Sequence, residues 1–352
     1  MTIVDDNAAY EKWLGDWCDV VQADLEYKHD RMKLNPFAFL RATFFRWVKV
    51  IPVALLELAA APAVLSVGDA HVENFGTWVA ANGNEIWGVN DFDDAASIPY
   101  PFDLVRLATS AVLVPQTTST EAQVSAAILE GYKAGLATPR PTIVTGAPDW
   151  MQAQLMSSRG DKHFWKGLLQ KITTDTPPLD VQQMLLATLP AGFTNASFSS
   201  RRKGGGGLGR PRYLVVAELA GKPVAREAKA AVPSAWDWAH NAKNPVLQFM
   251  PLASGRYRSP DPLLNVVAVS PNRQFIVRPV SPESHKIDID QYANAALDPR
   301  LLSAMAFDLA SIHAANANAQ AAIQNDMKVR SDGYTEVARK SVEDDFKVWT
   351  AT

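Results

Sequence analysis

Two stretches, VLSVGDAHVENFG at residues 64–76 and EIWGVNDFDDAASIPYPFDLVRLATSAVL at residues 85–113, decide how the chain folds. Each opens with a short apolar run, at residues 64–67 in the first and 86–89 in the second, which predicts a buried strand. Polar side chains crowd the end of both predicted strands. They are Asp69, His71, Glu73 and Asn74 after the first strand, and Asn90, Asp91, Asp93 and Asp94 after the second.

Carboxylates at this density repel one another, so a half-buried cluster of them is stable when a hard cation lies between them. Magnesium prefers carboxylate and amide oxygen ligands. The pattern therefore predicts a magnesium site where the two strands end. The competing interpretation is structural, because isolated Asp-rich turns also cap helices or lie in solvated loops.

The spacing resembles the catalytic centre of the protein-kinase-like superfamily, particularly its aminoglycoside and choline kinase branch. In that branch a G-D-x-H-x-x-N loop carries a catalytic Asp and a metal-binding Asn, and an I-D-F strand end carries a second metal-binding Asp. Residues 68–74 and 90–92 match these motifs. The resemblance implies that Asp69 accepts the proton of the attacking hydroxyl, while Asn74 and Asp91 hold magnesium.

Supporting roles follow from the same resemblance. Asp103, at the start of the next predicted helix, matches an acidic residue that braces the catalytic loop. His71, Asp93 and Arg106 are also expected to support the site. Asp93 and Asp94 both lie outside the matched positions and are interpreted as outer-shell residues. For His71 a purely structural hydrogen bond is an equal alternative.

A wider pattern joins N-P-F-A-F-L-R at 35–41, G-D-A-H-x-x-N-F-G at 68–76, N-D-F-D-D at 90–94 and D-L-V-R-L-A at 103–108. Together these motifs resemble an uncharacterised bacterial domain-of-unknown-function family. That resemblance covers most of the chain and implies no substrate. Arg41, which closes the first motif, is expected either to reach a phosphate or to pair with a carboxylate of its own lobe.

The composition is that of an ordinary globular protein. The 352 residues are 47% hydrophobic and 20% charged, with a formal net charge of −3, so nucleic acid is not an expected partner. The single cysteine, Cys18, excludes an internal disulfide. Charged residues interrupt the N-terminus and every apolar stretch, so we expect neither a signal peptide nor a membrane span, and a soluble, cytoplasmic protein.

Helical spacing predicts helices over residues 8–28 and 37–58, the second with Asn35 as its cap, Pro36 in its first turn and an end or kink at Pro52. Further helices are predicted over residues 102–113, 121–136 and 331–350, and short helical pieces over 149–189. Strands are predicted over residues 263–269 and 275–280. Arg278 and Lys286 either belong to the crevice or are ordinary surface charges, and the second interpretation is favoured.

A glycine-rich segment, RRKGGGGLGRPRYL at 201–214, begins a β-rich region. Residues 212–219 and 223–228 predict a hairpin that turns at Gly221-Lys222. Glycines with exposed backbone N–H groups suit a loop that wraps a polyphosphate, and in kinase-like folds the next strand but one carries a Lys that pairs with the phosphates. Arg226 is the first candidate for that cation and Lys229 the second, whereas the alternative is a flexible linker with solvated charges. The predicted phosphate loop comprises Gly204, Gly205, Gly206, Gly207 and Gly209.

The order of the parts differs from that of an ordinary kinase, in which the glycine loop precedes the catalytic loop. Gly204 lies far downstream of Asp69, so either the fold is circularly permuted or the interpretation of the glycine loop is wrong. Residues 298–315 predict a helix with Asp298 as cap and Pro299 at its first position. Its D-L-A-S-I-H resembles the helix that precedes the catalytic loop in aminoglycoside kinases, with His313 as a packing residue.

The sequence thus predicts a two-lobed α+β kinase-like fold, circularly permuted: a helical catalytic lobe at 1–190, a β-rich nucleotide-binding lobe at 195–290, and C-terminal helices at 291–352 that return to the first lobe. The expected function is ATP- and magnesium-dependent phosphoryl transfer to an unidentified small molecule. An AMP transferase and a non-catalytic, pseudokinase-like nucleotide-binding regulator are the alternatives. A metallophosphoesterase shares only Gly-Asp-x-His and is the least supported. The oligomeric state stays open.

Overall fold

The computed structural model describes residues 1–156, 161–170, 176–271, 273–282, 284, 297–329 and 333–352. Within these ranges the chain is a mixed α+β structure whose strands form three antiparallel sheets. The strands are β1 Ala63–Ser66, β2 Phe75–Val79, β3 Glu85–Val89, β4 Ala96–Pro99, β5 Thr142–Ile143, β6 Thr194–Ser200, β7 Arg212–Leu219, β8 Lys222–Ala231, β9 Asn265–Ser270 and β10 Arg273–Pro279.

Two small sheets hold the acidic segments. Strand β1 pairs with β4, and β3 lies between β2 and β5. The predicted strands at 64–67 and 86–89 are confirmed as β1 and β3, which end just before the two polar clusters. Strands β2 and β4 were not predicted.

The third sheet has five strands in the order β6, β7, β8, β10, β9. The glycine-rich segment connects β6 to β7, and the predicted hairpin is formed by β7 and β8. Its turn lies one residue earlier than expected, because Ala220 and Gly221 both adopt positive φ, as a two-residue hairpin turn requires. The glycine loop ends where β7 begins, and β7 pairs with β8, so the loop lies one strand away from β8.

Helices make up most of the remaining described chain. They are α1 Ile3–Leu14, α2 Gln22–Met32, α3 Pro36–Ala42, α4 Phe44–Ala54, α5 Leu56–Ala59, α6 Pro101–Val112, α7 Glu121–Ala137, α8 Asp149–Met156, α9 Asp161–Leu169, α10 Leu179–Ala187, α11 Ala235–Ala239, α12 Phe249–Ala253, α13 Pro299–Ala314, α14 Ala319–Asp326 and α15 Tyr334–Thr350.

The helix predicted at 8–28 was wrong as a single element. Gly15 ends α1, its backbone N–H bonding to Glu11 and Lys12, and α2 begins only at Gln22. The helix predicted at 37–58 is divided twice, at Thr43 and at Leu55, whose ψ values of 37° and 58° depart from helical geometry. Asn35 caps α3 as expected, its side chain accepting from the Ala38 N–H at 2.8 Å. Pro52 lies inside α4, which ends two residues later at Ala54.

The C-terminal helices pack against the N-terminal part of the chain. Helix α13 contacts α7, and α15 contacts α6, α3 and α4. As predicted, Asp298 caps α13 by accepting from the Arg300 N–H, and Pro299 is its first residue. Residues 331 and 332 of the last predicted helix lie outside the described residues, as does Lys286. Over the described parts of the chain, every helix is too short or too polar to cross a membrane.

The two faces of the five-stranded sheet pack against different helices. On one face Val215, Ala228 and Val277 form a small core with Val181 and Leu185 of α10. The opposite face carries Leu214 and Val216, which contact residues of α9, and the polar residues that point toward the acidic clusters. Side-chain direction on β8 therefore decides which of its charged residues approach the site.

Candidate active site

The two acidic segments touch at Gly68, directly after β1. Gly68 has φ +79°, and a β-carbon there would collide with the backbone carbonyl of Asp94. Only glycine combines this left-handed backbone with so close an approach. The residue that precedes Asp69 in the predicted catalytic loop therefore brings the loop against the NDFDD segment.

Asp69 is held by a buried arginine of α6. Arg106 Nε donates to Asp69 Oδ1 at 2.7 Å, and the guanidinium lies 4.9 Å from the ring centres of both Phe44 and Trp47. The second carboxylate oxygen, Oδ2, lies 3.9 Å from His71 Nε2. Burial raises the pKa of Asp69 to about 6, although the Arg106 charge opposes this shift. Arg106 thus fixes the Oδ1 atom of Asp69, and the Oδ2 atom lies near the glycine loop.

Asp103 braces the start of the same loop. Its carboxylate is fully buried and accepts from the Val67 N–H at 2.8 Å and the Gly68 N–H at 2.9 Å. His313 of α13 lies 3.1 Å from the same carboxylate and 2.8 Å from the Tyr132 hydroxyl. These bonds hold the backbone at the start of the loop, and His313 lies in the core.

Asn74 joins the two polar clusters. Its Nδ2 donates to the backbone carbonyls of Asp69 at 3.0 Å and Asp91 at 3.1 Å. With the amide nitrogen occupied by these carbonyls, Oδ1 is the atom that Asn74 can offer to a cation. The backbone N–H of Asn90 also donates to the Asn74 carbonyl at 3.1 Å, which fixes β3 against the loop.

Asp93 and Asp94 interact with protein cations and backbone, as outer residues of the site. Lys229 Nζ forms an ion pair with Asp93 Oδ2, and Arg210 Nη1 lies 3.3 Å from the same oxygen. Asp94 Oδ1 accepts from the Ala235 N–H at 2.8 Å. Burial raises the pKa of Asp94 and lowers the pKa of Lys229, while the charge of Asp91 opposes the shift at Lys229.

The glycine loop lies across the acidic segments. A β-carbon at Gly206 would lie 3.0 Å from the Arg41 carbonyl and 3.6 Å from Asp69 Oδ2, and one at Gly207 would collide with the Lys229 ammonium. Gly204 and Gly205 line the same cleft. Gly209 does not line the cleft, because it packs against Leu25 of α2. Its backbone has φ +91°.

Of the two candidate strand cations, Lys229 lines the cleft and Arg226 does not. Arg226 is on the other side of β8, where its Nε donates to the Thr188 carbonyl at 3.3 Å. Successive residues of a strand point to opposite faces, so Arg226 shares its face with Ala228, and Lys229 shares its face with Glu227.

These segments enclose a cleft of about 580 Å³. Asp69, His71, Asn74, Asp91 and Lys229 line it together with residues 204–207. Within the described part of the chain, no group of three or more His, Cys, Asp or Glu side chains has the geometry of a metal site. Magnesium, however, usually takes one or two carboxylates and completes its shell with water and phosphate oxygens. The oxygens of Asn74 and Asp91 fit that mode of binding.

Several residues of the site were missed or misjudged from the sequence. Arg41 forms a salt bridge of 2.5 Å with Glu73 while lining the cleft, so the ion-pair alternative describes its present contact. The interpretation of Arg278 as a surface charge was wrong, because its guanidinium bonds to the buried Glu227 at 3.0 and 3.1 Å. Ala228 and Ala230 flank Lys229 on β8 and point to the opposite face of the sheet. This alternation was the signal in the sequence that could have identified Lys229 as the cleft residue.

One family model matches the chain. It covers residues 21–140 and describes an uncharacterized protein conserved in bacteria, DUF2252. The matched range includes Arg41, both acidic clusters and α6, and it ends before the glycine loop. No curated protein and no solved structure matches the chain. Over residues 21–140 the chain is therefore similar to a conserved bacterial family described only as uncharacterized.

Proposed function

We propose that the protein is an ATP- and magnesium-dependent phosphotransferase that acts on a small-molecule hydroxyl or amine. One observation carries the proposal: Asp69, Asp91 and Lys229, together with the glycines of residues 204–207, line a single cleft although they come from separate stretches of the chain. Phosphoryl transfer needs this set, because catalysis depends on positioning and on charge stabilisation around the phosphates.

Asp69 is the proposed general base. Arg106 holds Oδ1 at 2.7 Å, so Oδ2 is the oxygen that accepts the proton of the acceptor group. With its pKa raised to about 6, the carboxylate is mostly ionised at neutral pH and is more basic than an ordinary aspartate. Asp103 fixes the backbone at Val67 and Gly68, which positions Asp69 without contact with the reactants.

Asn74 and Asp91 would hold the magnesium ion, because Asn74 is anchored to the carbonyls of both Asp69 and Asp91. Bound there with ATP, magnesium would neutralise charge on the phosphate oxygens. Lys229 adds a second positive charge from β8, and its present partner is Asp93. Backbone N–H groups of residues 204–207 are the proposed contacts to the polyphosphate.

The test is incubation of the protein with metabolite mixtures and ATP that carries an isotopic label either in its γ-phosphoryl group or in its adenosine. Transfer of the γ-label to an acceptor, detected by mass spectrometry, is the expected result. Transfer of the adenosine label would instead establish an AMP transferase on the same site. Magnesium-dependent ATP binding with no labelled product would favour the non-catalytic regulator.

Asp69→Asn is the matched variant for this experiment. The amide keeps the size of the side chain but cannot accept the proton, so transfer should fall by about a hundredfold or more while ATP affinity is retained. Full activity in Asp69→Asn would remove the general-base assignment. Loss of ATP binding in the same variant would indicate that Asp69 shapes the site rather than acting as a base.

A further inference from the structure

A second pocket, open to solvent on one side, adjoins the active-site cleft; we refer to it as the cavity. It lies between the end of β10 and the β2–β3 hairpin, and Asn90, which precedes the metal candidate Asp91, lines it. Much of its wall is apolar. The apolar side chains are Trp78, Phe92, Phe164, Leu264 and Val280.

The polar part of this wall has an excess of positive charge. Glu227 is buried and accepts from Arg201 and Arg212, each at 2.6 Å, and from Arg278 at 3.0 and 3.1 Å. Burial alone would raise the pKa of Glu227, but the combined attraction of the three guanidinium groups holds it well below its ordinary value. Three arginines thus surround one carboxylate, and two of them, Arg201 and Arg278, line the cavity with Lys203.

Buried like charges are costly unless an opposite charge compensates them. Four cationic side chains, Arg201, Lys203, Arg258 and Arg278, line the cavity with two carboxylates, Glu227 and Asp261, so positive charge is in excess there. Burial together with the neighbouring charges of Arg212 and Arg278 lowers the pKa of Arg201, although Glu227 opposes this. The charges of Glu227 and Asp91 outweigh burial at Arg278 and raise its pKa. The side chains of Arg201 and Arg278 are 15% and 26% exposed, so part of each is accessible from the cavity. This charge distribution favours an anion beside them.

Two orphaned polar atoms belong to residues of the same cavity wall. Arg258 has a side chain only 3% exposed, and its Nε has no hydrogen-bond partner among the described residues. Asn90 Oδ1 is also buried without a partner in that part of the chain. Both atoms are enclosed by protein, so the groups of this wall that a ligand reaches are the exposed parts of Arg201, Lys203 and Arg278.

We propose that this cavity binds an organic anion, with an apolar ring against the aromatic wall and a phosphate or carboxylate group against Arg201, Lys203 and Arg278. This inference deepens the proposed function, since the anion would belong to one of the two reactants. The site is distinct from Asn74 and Asp91, because guanidinium and ammonium groups bind an anion without a metal.

The test is calorimetric titration of phenyl phosphate in the presence of EDTA, so that metal-dependent binding is eliminated. The wild type should bind it more tightly than inorganic phosphate, because the ring occupies the apolar wall. Lys203→Gln and Arg278→Gln should each weaken phenyl phosphate by about fivefold to tenfold. Arg202→Gln is the matched control, since Arg202 adjoins Arg201 but pairs with Asp24 away from the cavity.

Folding and the proposed function are controlled separately. Lys203 is exposed, so its replacement leaves the core intact, and Arg278→Gln leaves Glu227 with Arg201 and Arg212. Asp91→Ala and Lys229→Gln should retain phenyl phosphate binding even if they abolish ATP binding. The proposal is overturned if the wild type does not bind, if Lys203→Gln and Arg278→Gln bind like Arg202→Gln, or if Asp91→Ala abolishes the binding.

A competition experiment assigns the anion to one reactant. Displacement of phenyl phosphate by saturating ATP and magnesium would assign the cavity to the donor nucleotide. Simultaneous binding of both would assign it to the acceptor, which would then itself be an organic anion.

Discussion

Gly68 determines how closely the two acidic segments approach. Its φ of +79° belongs to the left-handed region, and the space where a β-carbon would lie is filled by the Asp94 carbonyl. Gly83, in the turn between β2 and β3, also has φ +79°, but no atom lies within 4 Å of its β-carbon position. The two glycines therefore share a left-handed backbone, which would be strained for any other residue, but only at Gly68 does another atom occupy the β-carbon position.

Replacement of each glycine by alanine separates these two effects. Gly83→Ala should lower the free energy of unfolding by about 1 kcal/mol, the cost of a left-handed alanine. Gly68→Ala should lower it by roughly 3 kcal/mol or more, because the backbone must also move away from Asp94. Urea unfolding of both variants measures the difference, and equal losses would contradict the close approach at Gly68.

The ionisation of Asp69 links stability to pH. Burial raises its pKa from 3.8 to about 6 in the folded protein, so the folded state favours the protonated carboxyl. The stabilising contribution is present below the unfolded value and is lost as the pH rises through about 6. In metal-free protein, the wild type should therefore gain stability relative to Asp69→Asn when the pH is lowered from 7 to 5. A stability difference that stays constant over this range, or that changes in the opposite direction, would contradict the raised pKa.

At the scale of elements, β8 separates its charged residues by strand alternation. Lys229 faces the cleft and Arg226 faces α10 and the Thr188 carbonyl. If Lys229 contacts the phosphates, Lys229→Met should weaken the binding of ATP with magnesium by about tenfold or more, equivalent to about 1.4 kcal/mol. Arg226→Met should leave the affinity unchanged. Calorimetry on both variants decides, and the reverse ranking would refute the assignment.

Helix α13 connects the C-terminal region to the proposed catalytic loop through Asp103. In the fully buried Asp103 carboxylate, Oδ2 accepts from the Val67 N–H and lies 3.1 Å from His313, and Oδ1 accepts from the Gly68 N–H. Asp103→Asn replaces one of these two acceptor oxygens by an NH2 group, which can only donate. We expect a loss of roughly 3 kcal/mol in unfolding free energy. Asp326→Asn, which affects a partly buried bond from Tyr100, should cost about 1 kcal/mol or less and serves as the control. Similar costs for the two variants would show that Asp103 is not a brace.

The elements that the sequence predicted correctly have strong local signals. Strands β1 and β3 are apolar runs, and α13 begins with the Asp298 cap and Pro299. The bond between His313 and Asp103 could not be predicted, because it joins residues 210 positions apart. The single helix expected at 8–28 failed because the apolar spacing continues across Gly15, the C-cap of α1, and through the residues that separate α1 from α2. The spacing of apolar residues does not reveal such a break when the segments on both sides of it are amphipathic.

At the scale of the whole molecule, the order of the parts is the unusual feature. The glycine loop follows the proposed catalytic loop in sequence, yet residues 204–207 lie beside Asp69 in the folded chain. Helix α13, near the C-terminus, contributes His313, which contacts Asp103, and Asp103 accepts from the backbone N–H groups of Val67 and Gly68 after β1. Proximity of these parts supports the kinase-like interpretation, which stays a prediction together with the circular permutation. Sequence order alone could not decide it, because folding brings distant segments together.

The most direct measurement is calorimetric titration of ATP, with and without magnesium, into the wild type and Asp91→Ala. The account predicts magnesium-dependent binding by the wild type and its loss in the variant, since Asp91 and Asn74 are the proposed ligands of the ion. Urea unfolding of Asp91→Ala controls for damage to the fold. Absence of ATP binding by the wild type, or binding that neither magnesium nor Asp91 affects, would contradict the central claim that the cleft is a magnesium-dependent nucleotide site.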